Sequence, residues 1–336
     1  MGLGFWDLTT AVHQRIRRTI ERHALCPPGT RLLIGVSGGS DSVALVFLLR
    51  DLAENGGFEV AALAHLNHQL RATAGRDEAF CRSLADRLGL RIHVQRSDVQ
   101  GSARGHKLSV EDAARRIRYD FMEQAAVLAG ADRIAVGHTQ DDQAETFLLK
   151  LMRGAGLTGL AGIYPRRGRV IRPLLDVARG DLREYLAARG ETWIEDESNA
   201  DLDNPRNRIR HVVLPELDSA AAGATRPSIA RAAGLIRDDG QWLDELASHT
   251  FDVLAERTAD GVALETAALA QQPLPIRRRV LLQALRAVAT GEIGLDHVEA
   301  AMAVLDGTSG GADVPGGRVE LRRGKVALIQ QKPATK

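Results

Sequence analysis

The segment Ser37-Gly-Gly-Ser-Asp-Ser42 constrains the fold more than any other stretch of this 336-residue chain. Before it lies Leu32-Leu-Ile-Gly-Val36, a continuous apolar run of the kind that forms a strand buried on both faces. After it, Val43 to Leu52 reads as an apolar helix. Two glycines permit a tight turn that aims successive N–H groups outward, and Ser37, Ser40 and Ser42 add hydroxyl donors at the positive end of the helix. Strand, glycine-rich turn and helix in this order make a cradle for a phosphate group; the alternative is an ordinary turn capped by serine. The chain has no Gly-x-x-x-x-Gly-Lys-Ser/Thr, so the lysine-bearing P-loop is excluded. Asp41, inside the cradle, would repel phosphates unless a cation intervened, which points to Mg²⁺.

The same alternation continues. Val60–Leu66, Arg91–Gln95 and Arg133–Val136 are strand-like, whereas Asp77–Leu88, Val110–Leu128 and Gln140–Met152 are helical. Strands alternating with helices predict an α/β fold built on a doubly wound parallel sheet, with ligands at the carboxyl ends of the strands. Leu8, Val12, Ile16 and Ile20 predict an amphipathic opening helix that Pro27-Pro28-Gly29 ends. Beyond Pro173 the pattern turns helix-rich, over 181–188, 207–217, 229–254, 275–288 and 295–305. A terminal hairpin pairs Arg318–Leu321 with Val326–Ile329 about Arg323-Gly324. The small-residue stretch Ser219–Thr225 reads as a linker, so the expected domains are residues 1–218, catalytic, and 226–336, mainly helical with the hairpin.

Composition narrows the partners. Basic and acidic residues number 44 and 43, a net charge of +1, so a polyanion must be met by a local basic surface rather than a global field. Only five of the cations are lysine, and arginine's planar fork suits phosphates. Cys26 and Cys81 form no Cys-x-x-Cys, so neither a disulfide framework nor a four-thiolate cluster can be built from this chain alone. The longest apolar run, Val43–Leu49, is far short of the roughly 20 residues that span a bilayer. With no export signal at Met1-Gly-Leu-Gly-Phe-Trp, the expectation is a cytoplasmic protein without membrane contact.

Further motifs follow in order. His65-Leu-Asn-His-Gln-Leu-Arg71 comes after the second strand, and Glu111-Asp-Ala-Ala-Arg-Arg-Ile-Arg-Tyr119 lies on a helix opened by a Ser109/Asp112 capping box. Gly137-His-Thr-Gln-Asp-Asp-Gln-Ala-Glu-Thr146 comes after the fourth strand, with Thr139 and Asp142 spaced as a second capping box. Arg153-Gly154, Arg172-Pro-Leu-Leu175, Asp196 with Ser198-Asn199, and Arg206-Asn-Arg-Ile-Arg210 complete the series. With Ser-Gly-Gly-x-Asp-Ser at their head, these residues resemble the PP-loop ATP pyrophosphatases, with an adenine nucleotide alpha hydrolase-like fold, and within them the tRNA(Ile)-lysidine synthetase family, from about Leu32 to Pro215.

That resemblance implies an ATP-consuming ligase that activates the wobble cytidine of tRNA(Ile) with a CAU anticodon and joins free L-lysine to it, forming lysidine, with ATP and Mg²⁺ as cofactors. The nest Ser37, Gly38, Gly39, Ser40, Asp41 and Ser42 would bind ATP, and Asp41 and Asp142 would hold the metal. Catalytic roles fall to Asp41, Asp142, Asp141, His138 and Arg115, and tRNA contacts to Arg206, Asn207, Arg210, Arg118 and Arg172. Lysine or substrate would meet His65, Asn67, His68 and Asp196. His65 and His68 lack a third ligand for zinc, which favours substrate contact. Two features depart from the family pattern: Thr139 replaces a second histidine, and Asn204-Pro205 precedes Arg206 where an aromatic is usual. Basic residues also crowd Arg166, Arg167, Arg169 and Arg179. Two rival readings are a PP-loop tRNA thiolase, whose cysteine pairs are absent here, and an inactive RNA-binding module, against which Asp41, Asp141 and Asp142 speak. A homodimer stays open.

Overall fold

The computed structural model describes residues 5–69, 73–106, 109–195, 201–221 and 225–330. It resolves into two compact units, residues 1–234 and 235–336.

In the first unit, α1 (Phe5–Arg22) precedes β1 (Arg31–Gly35), α2 (Ser40–Gly56), β2 (Glu59–Asn67), α3 (Ala74–Leu88) and β3 (Ile92–Arg96). Then come α4 (Val99–His106), α5 (Val110–Ala129), β4 (Arg133–Ala135), α6 (Gln140–Leu151) and the single turn α7 (Leu157–Leu160). The short strands β5 (Arg166–Arg167) and β6 (Val170–Ile171) lead to α8 (Arg179–Ala188). The unit continues through α9 (Pro205–Arg208), a π-helical turn (Ile209–Val213), α10 (Leu214–Ala220) and the start of α11 (Thr225–Leu254).

The sheet order is β3-β2-β1-β4-β6-β5, parallel throughout except where β5 turns back along β6. The α/β reading therefore holds, with an antiparallel edge added. Alternation along the strands divides two apolar layers. Leu32, Ile34, Leu63, Ala135 and Ile171 enter one core with α1, α2, α3 and α8, and Leu33, Ala62, Ala64, Ile134 and Val170 enter the other with α5. On the inner side of α5, Phe121 is buried and Ala114 and Ile117 are half-buried, whereas Val110, in the first turn, is exposed. Both free cysteines are buried, and loss of hydration pushes each thiol up to about 12.

The second unit holds the rest of α11, then β7 (Ala255–Thr258), β8 (Gly261–Glu265), α12 (Thr266–Ala270), α13 (Leu274–Val288) and α14 (Leu295–Leu305). It ends in β9 (Gly311–Val314), β10 (Gly317–Arg322) and β11 (Lys325–Gln330). The anticipated hairpin is β10–β11, and it is the centre of an antiparallel sheet ordered β7-β8-β11-β10-β9. Val280, Leu281, Leu285, Val304, Val319 and Leu328 form its core. Among the described residues no helix is long and apolar enough to cross a membrane.

Candidate active site

Strand order reverses between β1 and β4, so the loops leaving these neighbours diverge and open a crevice at their carboxyl ends. Three helices begin there. α2 follows the nest, α6 follows Gly137–Thr139, and α8 begins at Arg179, whose backbone N–H donates to Asp141 Oδ2 at 2.8 Å. Helix N-termini present unpaired N–H groups and a positive partial charge, so the crevice suits an anion.

The nest is built from its own side chains. Ser42 Oγ accepts from Ser37 N at 3.1 Å and donates to Gly39 O at 2.9 Å, which fixes the turn and leaves the first-turn N–H groups of α2 to face outward. Gly38 takes φ +93°, where a side chain would be strained, and its carbonyl accepts from Ile194 N at 2.9 Å. At Gly137 an added Cβ would stand 3.1 Å from the carbonyl oxygen of Asp41, so the β4–α6 loop packs tightly on the nest and a side chain there would push against its backbone.

Beneath the nest is a charged cluster. Thr139 and Asp142 form the expected capping box, with Asp142 Oδ2 accepting from Thr139 N at 2.8 Å. That leaves Asp142 Oδ1 for Arg179 at 3.0 Å and Arg206 at 3.1 Å. Arg179 Nε also donates to Asp41 Oδ2 at 2.8 Å, so one guanidinium bridges the two carboxylates. One turn beyond Asp142, the fully buried Glu145 accepts from Arg206 at 2.7 Å and Arg210 at 2.6 Å and lies 3.5 Å from Arg179. Burial pushes Asp41 up despite Arg179 beside it. Burial also opposes ionisation of Asp142, but Arg179, His138 and Arg206 outweigh it and hold the group at about 2. His138 is pushed down to about 4, chiefly by burial and then by Arg172, Arg206 and Arg118, so at neutral pH it is an uncharged imidazole whose Nδ1 is buried without a partner.

The structure thus brings together the nest, Asp41, Asp141, Asp142, His138, Arg206 and Arg210. The residues assigned to tRNA have partners within the chain. Arg206 and Arg210 turn inward onto Glu145, because their i, i+4 spacing puts them on one face; Arg208, on the other side, is exposed. Arg172 is a buried strut, donating to Tyr164 O at 2.7 Å and to Tyr119 OH, and burial lowers its pKa from the ordinary value. Asn207 donates to Asp201 O, and Asn67 donates to Ala74 O and Glu78, so both amides brace loops. Arg96 and Arg82 hold Glu78 at about 2.

His65 lies buried under the nest with Nδ1 2.9 Å from Val36 O. Arg115 stacks over Tyr119 on the exposed side of α5, and Arg118 reaches His68 Nε2 at 3.5 Å. Glu195 is bound to Arg183 and Trp193, while Asp196 lies outside the described residues. Arg179 and Glu145 were missed as site residues. For Glu145 a signal existed: it follows Asp142 by three on one helix and shares its face.

A family model described as the PP-loop domain matches residues 8–217. The curated tRNA(Ile)-lysidine synthase of Geobacter sulfurreducens is 39% identical over 297 residues, covering 86% of this chain and 62% of that protein. The tRNA(Ile)-lysidine synthase of Chlorobaculum tepidum is 32% identical, covering 92% of this chain and 93% of its own. The chain belongs to the tRNA(Ile)-lysidine synthase family of PP-loop proteins. Its span of the relatives varies: 69% of the Symbiobacterium thermophilum member, at 36% identity and 95% of this chain, against the 62% above. In fold the chain is similar to the U34-tRNA thiolase NcsA from Methanococcus maripaludis, with a TM-score of 0.59 at 15% identity, covering 69% of this chain and 80% of that one.

Proposed function

We propose that this family member joins L-lysine to the wobble cytidine of tRNA(Ile) bearing a CAU anticodon, using ATP in the cytoplasm and releasing AMP and pyrophosphate. The observation that carries the reading is the bridge of opposite charges beneath the nest: Asp41, Asp142 and Glu145 held by Arg179, Arg206 and Arg210. Such a bridge offers carboxylate oxygens to a cation or an amine and guanidinium groups to a polyphosphate.

The carboxylates fit Mg²⁺. Asp41 Oδ2 and Asp142 Oδ1 already converge on one cationic group at 2.8 and 3.0 Å, and both are the hard oxygen donors the ion takes. Mg²⁺ needs only one or two protein carboxylates beside substrate phosphates and water. Bound there, Mg²⁺ would neutralise charge on the transferring phosphoryl group.

The nest and the α2 N-terminus orient the triphosphate so that the cytidine carbonyl oxygen attacks the α-phosphate and pyrophosphate leaves. Arg206 and Arg210 stabilise the charge that develops, since their guanidinium groups are prearranged and partly shielded from water. The lysine amine then attacks the activated base and AMP departs. Asp142, held at about 2, stays anionic and orients cations rather than taking protons. Neutral His138, with Nδ1 unpartnered, has a lone pair or proton to offer the base or the amine.

Mass analysis of tRNA(Ile) bearing CAU after incubation with the protein, ATP, Mg²⁺ and lysine tests the reading. Gain of one lysine residue on the wobble cytidine is expected. Sulfur incorporation, or ATP-independent binding without any mass gain, would replace it with a thiolase or an inactive RNA-binding module.

A further inference from the structure

Arg179 belongs to no motif that singled out the site, yet its side chain is the most fully committed there. It is the first residue of α8, its backbone N–H is tied to Asp141, and each guanidinium nitrogen meets a different carboxylate: Nε to Asp41 at 2.8 Å, Nη2 to Asp142 at 3.0 Å and Nη1 to Glu145 at 3.5 Å. The roles of its partners differ. Asp142 also has Arg206 at 3.1 Å and Arg210 at 3.8 Å, and Glu145 has both of those arginines closer than Arg179. For Asp41, Arg179 is the one ion-pair partner among the described residues.

We propose that Arg179 is an internal counter-ion for the Asp41–Asp142 pair, occupying the place of the divalent cation until nucleotide delivers the metal, and retreating to Glu145 when it does. This rests on the reading that Asp41 and Asp142 hold Mg²⁺. Two carboxylates that share one small volume repel, and the guanidinium, bonded to both at 2.8 and 3.0 Å, offsets that repulsion and holds them in place. It also uses the oxygens a metal would need, so a bare ion must displace it, whereas an ion carried by a triphosphate gains the nest and three helix N-termini as well. Glu145 supplies the landing: fully buried, already in contact with Nη1, and reachable by a side-chain rotation that leaves the capped backbone of Arg179 unmoved. The site therefore exchanges one cation for another and never presents a naked acidic pair. Arg179 is a positioning residue, acting on the reaction through the carboxylates it holds.

The test is Mn²⁺ binding to the full chain, read from the electron paramagnetic resonance signal of the free ion, with and without a non-hydrolysable ATP analogue. Wild type should bind Mn²⁺ weakly alone and tightly with the analogue. Arg179→Gln removes the competing charge and should bind nucleotide-free Mn²⁺ about tenfold tighter or more, a gain that a merely damaged site would not produce. Arg179→Lys keeps the charge and should restore weak binding of the bare ion. If Arg179→Gln binds the bare ion no better than wild type while both bind it with the analogue, the counter-ion role is overturned and the metal reading survives. If wild type with the analogue binds no more Mn²⁺ than the analogue alone, the metal reading itself falls. Should Arg179→Gln fail to fold, Arg179→Lys with Glu145→Gln decides: removing the landing must weaken analogue-dependent Mn²⁺ binding in wild type and in the lysine variant alike, and unchanged binding overturns the proposal.

Discussion

The two units of this chain place their charges in opposite ways. In the first, Asp142, Glu145, Arg179 and Arg210 are withdrawn from water and crossed by several ion pairs each; in the second, Arg278–Glu299, Arg279–Asp244 and Arg277–Asp306 are simple pairs with at least one exposed partner. Desolvating ions is expensive and a hydrophobic replacement of similar volume is often as stable. A buried cluster of this size is not what stability requires, which agrees with the ligand-binding role proposed for it, while the second unit rests on an apolar core with its charges left at the rim.

Breaking the comparison at its strongest point means removing Glu145. Glu145→Gln removes the charge opposite Arg206 and Arg210 and turns one of its two acceptor oxygens into a donor, and should destabilise the first unit by about 3–5 kcal/mol in urea unfolding. A loss under about 1 kcal/mol would mean that the cluster is less shielded than its burial indicates. Leu285→Ala probes the other side. It opens the second unit's core and should cost about 2–5 kcal/mol, yet leave the affinity for an ATP analogue unchanged; weaker nucleotide binding would show that the first unit's site depends on the second.

Gly137→Ala pushes a methyl group at the backbone of Asp41 and Ser42, which cannot yield as a flexible side chain would. A cost of about 1–3 kcal/mol is expected, together with weaker analogue binding; unchanged binding would separate the β4–α6 loop from the nest. His13 gives a smaller, pH-dependent effect. The hydrogen bond with Asp51 raises its pKa above the ordinary 6.5 against the effect of burial, so its contribution is complete below that value and lost as pH rises through the folded-state value. Wild-type stability should accordingly fall relative to His13→Gln as pH rises above the ordinary 6.5, and parallel curves would remove the contribution. The smallest effect belongs to Arg278→Ala at the second unit's surface, where thermal unfolding should show no more than about 0.5 kcal/mol.

Local pattern accounts for what the sequence revealed. The strand before Ser37 and the Thr139/Asp142 capping box are set by neighbours a few residues away and form where the pattern predicts them, whereas at Ser109 only half the box forms: its Oγ accepts from Asp112 N, but the Asp112 carboxylate takes the Ser109 hydroxyl. Arg179 escaped because its meaning depends on Asp41, 138 residues earlier, and nothing in its own surroundings announces that partner. The Glu145 contacts of Arg206 and Arg210 are hidden in the sequence for a related reason. Their spacing shows that they share a face but does not say that Glu145 waits opposite it. Asn67 and Arg172 have residue types as fit for bracing a loop as for holding a ligand, and burial chose the former. In the second unit, β7 was missed because Ala255–Thr258 is mostly exposed and carries no apolar alternation.

The buried cysteines give the chain an internal clock. Neither thiol ionises near neutral pH, so both are slow toward alkylating reagents while the protein stays closed. Cys81 lies 4.0 Å from the carbonyl of Val36, directly under the start of the nest, and Cys26 lies elsewhere in the same core. The rate at which a small thiol reagent modifies Cys81 is therefore the rate at which the floor of the nest opens, and comparing it with Cys26 in one reaction separates breathing at the nest from opening of the whole core. No label has to be introduced: the sequence already carries a reporter at the point where nucleotide binding would slow the motion, and a reference thiol to calibrate it.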